Sequence, residues 1–254
     1  MNINYCTAFD IATSNVETIE SNKGIEESIK WLKENGYDVA PVENNNDIIG
    51  YVRLNQLRKI NNKSQKISDN IKKITISEMI SPNSKFPVFV DALTENSFYF
   101  IGGKSSIDGI ITKADLNTSN VKSYLFSQIM VVEQKLKNYV RKYIPNWEEH
   151  VDSDNLNRIE GHYKSNKKMN IELPKINHAS LGTIVHIIDK DDKCMNLFGC
   201  RISKMYDIKD LRNDIAHVKP IIKNTKSGEY DNNRRTIKDL YEIHNEIQRL
   251  DEKL

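Results

Sequence analysis

Long apolar runs are missing from this 254-residue sequence: none approaches the roughly 18 residues that a membrane-spanning helix needs. The opening residues, MNINYCTAFD, show no basic start followed by an apolar stretch, so no secretory signal is expected. Cysteine is scarce. Cys6, Cys194 and Cys200 are odd in number and form no CxxC pair, which excludes a disulfide framework and a zinc knuckle and suits free thiols in a reducing compartment. His150, His162, His178, His186 and His244 are scattered without the spacing of a metal site. An excess of one charge is also lacking: 37 Lys and Arg stand against 35 Asp and Glu, a net +2. Charge alone therefore gives no nucleic-acid footprint. The expectation is a soluble, cytoplasmic protein with no metal.

Two rhythms are present. Hydrophobic residues make up 38% of the chain, enough for real cores, and the length suits one large or two small domains. Up to residue 117 short strands and helices alternate. GIEESIKWLKENG (24–36) has helical spacing and a glycine stop. DVAPV (38–42) and IIGYV (48–52) read as strands around the polar turn ENNND, and LNQLRKI (54–60) starts a helix. TISEMISPN (75–83) then leads to FPVFV (86–90), read as an apolar strand, and to SFYFIGG (97–103), a second strand. IIGYVRLNQL (48–57) and IDGIITKADL (107–116) share one template, apolar, glycine, apolar pair, polar residues, leucine, which is an internal repeat.

After 117 the pattern is helical. Residues 120–144 carry one apolar stripe stopped by Pro145; 178–189, 202–218 and 234–254 give three further helices. Residues 145–177 are polar and weakly periodic, so a long loop with one short helix is expected there. LNTSN (116–120) marks the boundary, with Thr118 or Ser119 as N-cap. This half is the more basic, 24 Lys and Arg against 20 Asp and Glu, whereas residues 1–117 hold 13 against 15. A polyanionic partner is thereby permitted on the C-terminal side.

The repeated template resembles the CBS domain, a βαββα module that occurs in pairs of about this size, over residues 10–117. The best match is GIITKADL, Gly109 to Leu116. The resemblance implies an α+β ligand-sensing pair over residues 1–117, binding the ribose phosphate of an adenine nucleotide through Gly109, Thr112 and Asp115. A hydroxyl at a helix start suits a phosphate oxygen, and a carboxylate one turn on suits a ribose diol. The first copy departs from the pattern, with Arg53 at the threonine position and Gln56 at the aspartate position; Arg53 remains a candidate phosphate contact. In the second copy too few residues lie between FPVFV and SFYFIGG for the module's first helix. The same residues also fit a plainer role, Thr112 capping a helix with Asp115 in its first turn.

The most informative stretch of the second half is LRNDIAHVKP (211–220). RNDIAH, Arg212 to His217, with the long first helix holding Glu133, resembles the HEPN superfamily of all-α helical bundles, over nearly all of 118–254. At about 100° per residue, Asn213 and His217 share a helix face, while Arg212 and His217 lie about 140° apart. One subunit does not easily aim both groups at one atom; a two-fold dimer does. The resemblance implies a metal-independent endoribonuclease with a composite site in a homodimer. The RNA 2′-hydroxyl attacks the adjacent phosphorus and leaves a 2′,3′-cyclic phosphate. His217 moves protons, Arg212 binds the phosphate and Asn213 orients the histidine or holds RNA. Two alternatives stay open: Arg212 in a salt bridge with Asp210 or Asp214 beside a helix-terminus histidine, and a non-catalytic dimeric adaptor that senses a nucleotide and binds RNA or protein. A toxin-like or anti-phage role follows from the superfamily by analogy.

Overall fold

A computed structural model describes residues 6–103, 107–191, 202–222 and 235–254. Cys194, Cys200 and residues 232–234 of the short basic stretch NNRRTIK (232–238), a candidate for phosphate contact by its charge, lie outside the described residues. The chain divides into two units, Cys6–Thr118 and Ser119–Leu254.

The first unit is α+β. After a short helix α1 (Ala8–Ile11) and strand β1 (Thr13–Ser14), a βαββα order appears: β2 (Ile19–Glu20), α2 (Ile25–Glu34), β3 (Val39–Asn44), β4 (Asp47–Arg53) and α3 (Leu54–Leu57). It recurs as β5 (Met79–Ile80), α4 (Phe86–Glu95), β6 (Phe98–Gly102), β7 (Ile107–Thr112) and a 3-10 turn at Ala114–Asn117. The sheets run β2-β3-β4 and β1-β7-β6-β5. The template glycine has the same task in both copies. A Cβ on Gly50 would lie 2.6 Å from the Lys72 carbonyl oxygen, and one on Gly109 2.8 Å from that of Thr13. Only glycine lets a neighbouring backbone pair so closely there, Lys72 with Tyr51 and β1 with β7.

The expected strand at 86–90 is helix α4. Phe86, Phe89, Val90 and Leu93 are all buried, at i, i+3, i+4 and i+7, and Pro87 stands in the first turn, where a missing N–H costs nothing. FPVFV is thus the module helix that the sequence seemed to lack. The two copies share a core through Tyr51, whose ring meets Phe98 and Phe100 at 5.5 and 5.6 Å. The Tyr51 hydroxyl and the Lys72 ammonium both donate to Glu78. Burial works against the Glu78 carboxylate, but these bonds win and hold it down to about 2.

The second unit is helical: α5 (Ser119–Tyr143), α6 (Ser153–Lys168), α7 (Leu181–Lys190), α8 (Ile202–Ala216) and α9 (Ile237–Lys253). The expected long loop is mostly α6, a 16-residue helix flanked by 3-10 turns at Trp147–His150 and Lys175–His178. Only Ile159 of α6 is buried, so no apolar stripe announced it; the Asp152 side chain caps its start.

Inside this unit His244 is 2% exposed, hydrogen-bonded through Nε2 to the Tyr124 hydroxyl at 3.0 Å. Burial pushes its pKa down to about 4. The unfolded chain, at about 6.5, then binds the extra proton first. His244 therefore adds its full stability above pH 6.5, and loses about 3 kcal/mol as pH falls toward 4. Urea unfolding followed through Trp147 fluorescence in a Trp31→Phe background should show this slope, and His244→Gln should flatten it.

Candidate functional site

In the first unit the predicted ligand residues gather at the ends of β4 and β7. The Thr112 N–H and hydroxyl both donate to Asp115 Oδ2, at 2.6 and 2.8 Å, and Thr112 Oγ1 accepts from the Ala114 N–H at 3.2 Å. The pair thus closes the turn between the end of β7 and the 3-10 turn at Ala114–Asn117. Burial raises the Asp115 carboxyl above its ordinary value, and the Thr112 bonds oppose it. Gly109 lies upstream under β1, in a packing position.

Arg53 ends β4 as Thr112 ends β7. Its guanidinium lies 4.8 Å from the Phe98 ring centroid and 5.7 Å from that of Tyr51. Phe98 is the cross-strand partner of Thr112, so their side chains share a sheet face. The structure therefore brings Arg53 of the first copy to Phe98 on β6, the strand that pairs with β7 in the second. Arg53 Nε is buried without a hydrogen-bond partner among the described residues. A cation with an unspent donor, an aromatic wall, a hydroxyl and a carboxylate suit an anion attached to a planar, hydroxylated group.

In the second unit the site residues sit at the C-terminus of α8. Asp210 pairs with Lys209 at 3.0 Å, and the buried Asp214 pairs with the buried Arg235 at 3.1 Å. Arg235 also donates to the Ile221 carbonyl at 3.2 Å. Neither neighbouring acid is given to Arg212, which is half-buried with its guanidinium 5.9 Å from the Phe126 ring on α5. Asn213 and His217 are exposed. Among the described residues no side-chain bond links Arg212, Asn213 and His217.

The helix ends by a Schellman turn. The Val218 N–H donates to Ile215 and the Lys219 N–H to Asp214, at 3.0 and 2.8 Å, with Val218 at φ 58°. A β-branched residue is strained in that left-handed conformation. The Lys122 ammonium on α5 reaches the Val218 carbonyl at 3.4 Å. Val218 itself is 76% exposed and packs on little, so Val218→Gly should stabilise the unit by about 1 kcal/mol. A higher midpoint in thermal unfolding is the check.

Sequence reasoning missed the floor of this region. Lys122, Phe126 and Met130 lie at i, i+4 and i+8 on α5, the first touching Val218 and the second Arg212. Met130 and Val131 are exposed. Helical periodicity marks such residues as one stripe, but not as neighbours of a segment some 90 residues away. Among the described residues no cluster could hold a metal ion, and no helix is long and apolar enough to cross a membrane.

No protein-family model matches this sequence, and no curated protein does. Solved structures similar to the N-terminal part of the chain are CBS-domain proteins. A hemolysin-like protein containing a CBS domain from Oenococcus oeni is 22% identical over 45% of this chain and 89% of its own, with a TM-score of 0.37. A CBS-domain protein from Thermoplasma acidophilum is 18% identical over 48% and 76%, TM-score 0.39. A CBS domain pair in complex with 5′-methylthioadenosine and S-adenosyl-L-methionine is 16% identical over 44% and 93%, TM-score 0.38.

Proposed function

We propose that this chain is a ligand-regulated, metal-independent endoribonuclease. An adenine-type nucleotide binds the first unit, its phosphate on Arg53 and Thr112 and its ribose on Asp115. The helical HEPN-like unit forms a homodimer and cleaves RNA in a groove shared by two copies of α8. One observation carries the nuclease reading. Arg212 and His217 stay accessible at one helix end, while the acids beside them on that helix are tied to Lys209 and Arg235. A guanidinium without a carboxylate partner suits phosphate, and an exposed imidazole suits proton transfer. The 2′-hydroxyl attacks phosphorus as His217 handles the proton, Arg212 stabilises the charge that builds on the phosphate oxygens, and Asn213 holds the RNA. Ligand binding regulates cleavage if it favours one arrangement of the dimer over another.

The adaptor reading keeps the same dimer without the cut. The exposed Met130 and Val131 favour it, since an apolar strip serves a protein partner as well as a second copy. Total RNA incubated with the protein in EDTA separates the two. The nuclease reading expects cleavage with 2′,3′-cyclic ends, lost in Arg212→Ala and His217→Ala, from a protein that sediments as a dimer. Inertness with and without nucleotides leaves the adaptor. Calorimetry with AMP, ADP, ATP and cyclic dinucleotides, on wild type and Asp115→Ala, tests the sensing half.

A further inference from the structure

From Phe126, which meets Arg212, one stripe of α5 leads toward the 3-10 turn at Lys175–His178. Phe126, Met130, Glu133 and Lys137 lie at i, i+4, i+7 and i+11, one stripe of the helix. At 1.5 Å per residue, Lys137 stands about 16 Å from Phe126. Lys137 is buried, bonded to Glu133 at 2.7 Å and directed at the Asn177 carbonyl at 3.4 Å. Asn177 and His178 belong to the 3-10 turn that packs against both α5 and α6. Across that turn the Tyr163 ring of α6 meets the His178 ring edge-on at 6.1 Å.

The last turns of α6 carry Lys164, Lys167 and Lys168, at i, i+3 and i+4 on one exposed stripe. Lys167 reaches over Tyr163 at 5.9 Å. Lys164 pairs loosely with Glu160 at 3.4 Å, and Glu160 is itself held by Lys175. Among the described residues Lys167 and Lys168 have no carboxylate partner. Burial first, then the charges of His162 and Lys137, hold the nearby His178 imidazole below its ordinary value.

We propose that Lys164, Lys167 and Lys168 form a second phosphate-binding region of the helical unit, which holds the RNA strand beyond the scissile phosphate. This rests on the nuclease reading above and specifies its substrate: a strand long enough to reach from Arg212 to the end of α6, not a dinucleotide. The contacts are to the backbone and carry no base preference, since ammonium groups on flexible stems meet phosphates as point charges.

The test separates this region from the catalytic one by measuring binding without cleavage. The parent is His217→Ala, which leaves RNA intact, and the comparison adds Lys164→Ala, Lys167→Ala and Lys168→Ala. Fluorescence anisotropy with a labelled 12-nucleotide RNA, over a salt series, should show at least tenfold weaker binding for the combined variant. The slope of log affinity against log salt should be shallower by about 2, as three contacts at about 0.7 each imply. Wild-type protein should cleave the 12-mer far better than a dinucleotide, and the lysine variant should lose that preference. Circular dichroism should be unchanged, because all three side chains are exposed. RNA bound by the parent with the same affinity and slope after the lysines are removed overturns this region and leaves the nuclease reading standing. No RNA binding or cleavage by any form, wild type included, overturns both.

Discussion

His217→Ala is expected to lower RNA cleavage by about 10²–10⁴-fold, the usual contribution of a positioned acid or base. The side chain is exposed and makes no hydrogen bond among the described residues; its backbone N–H, which alanine keeps, donates to the Asn213 carbonyl. Folding should therefore be untouched, and the loss reads chemistry alone. Arg212→Ala should lose activity on a similar scale, and Arg212→Lys should recover little, because an ammonium lacks the planar fork. The angle between the two residues adds a sharper result. If each groove takes its arginine from one subunit and its histidine from the other, mixing unfolded Arg212→Ala and His217→Ala chains and refolding them together restores cleavage that neither shows alone. Mixed dimers that stay inactive, made from chains whose parent is active, would place both groups within one subunit and remove the shared groove.

Asp214→Ala should destabilise the helical unit by about 3–5 kcal/mol, the range seen when one partner of a buried ion pair is removed. Arg235 is 8% exposed and keeps the Ile221 carbonyl, but it loses its counter-charge. The pair joins the end of α8 to the start of α9, so its loss also loosens the turn that presents His217. Urea unfolding gives the magnitude. Replacing both partners with apolar residues, Asp214→Leu with Arg235→Met, should recover much of the lost stability, because no buried charge is then left unpaired. A single variant as stable as wild type would mean that water reaches this pair freely.

Much of the architecture was legible. The repeated glycine template located β4, β7 and the turns after them, and the α5 stripe was plain from its spacing. FPVFV misled because five apolar residues in a row fit a buried strand as well as a helix; Pro87 and the continuation to Leu93 at helical spacing were the signals to weigh. α6 was hidden for the opposite reason, having almost nothing apolar to bury. At the site, Thr112 and Asp115 bond to each other because they stand three positions apart across the turn that follows β7. Phe98 went unnoticed as the wall beneath Arg53, since strand pairing and not sequence proximity sets that contact. Asp214 suggested itself as a partner for Arg212 from two positions away, yet its partner is Arg235, after the turn. Local spacing reveals caps and stripes; pairings made by chain reversal become visible only in three dimensions.

Tyr51 has a consequence for how the first unit comes apart. It belongs to the first βαββα copy by sequence, yet its ring is walled in by Phe98 and Phe100 of the second and its hydroxyl is anchored on Glu78. Neither copy can be excised as a free-standing fragment without laying bare an aromatic surface made for the other. The repeat is therefore not modular in behaviour: the two halves should melt as one cooperative block.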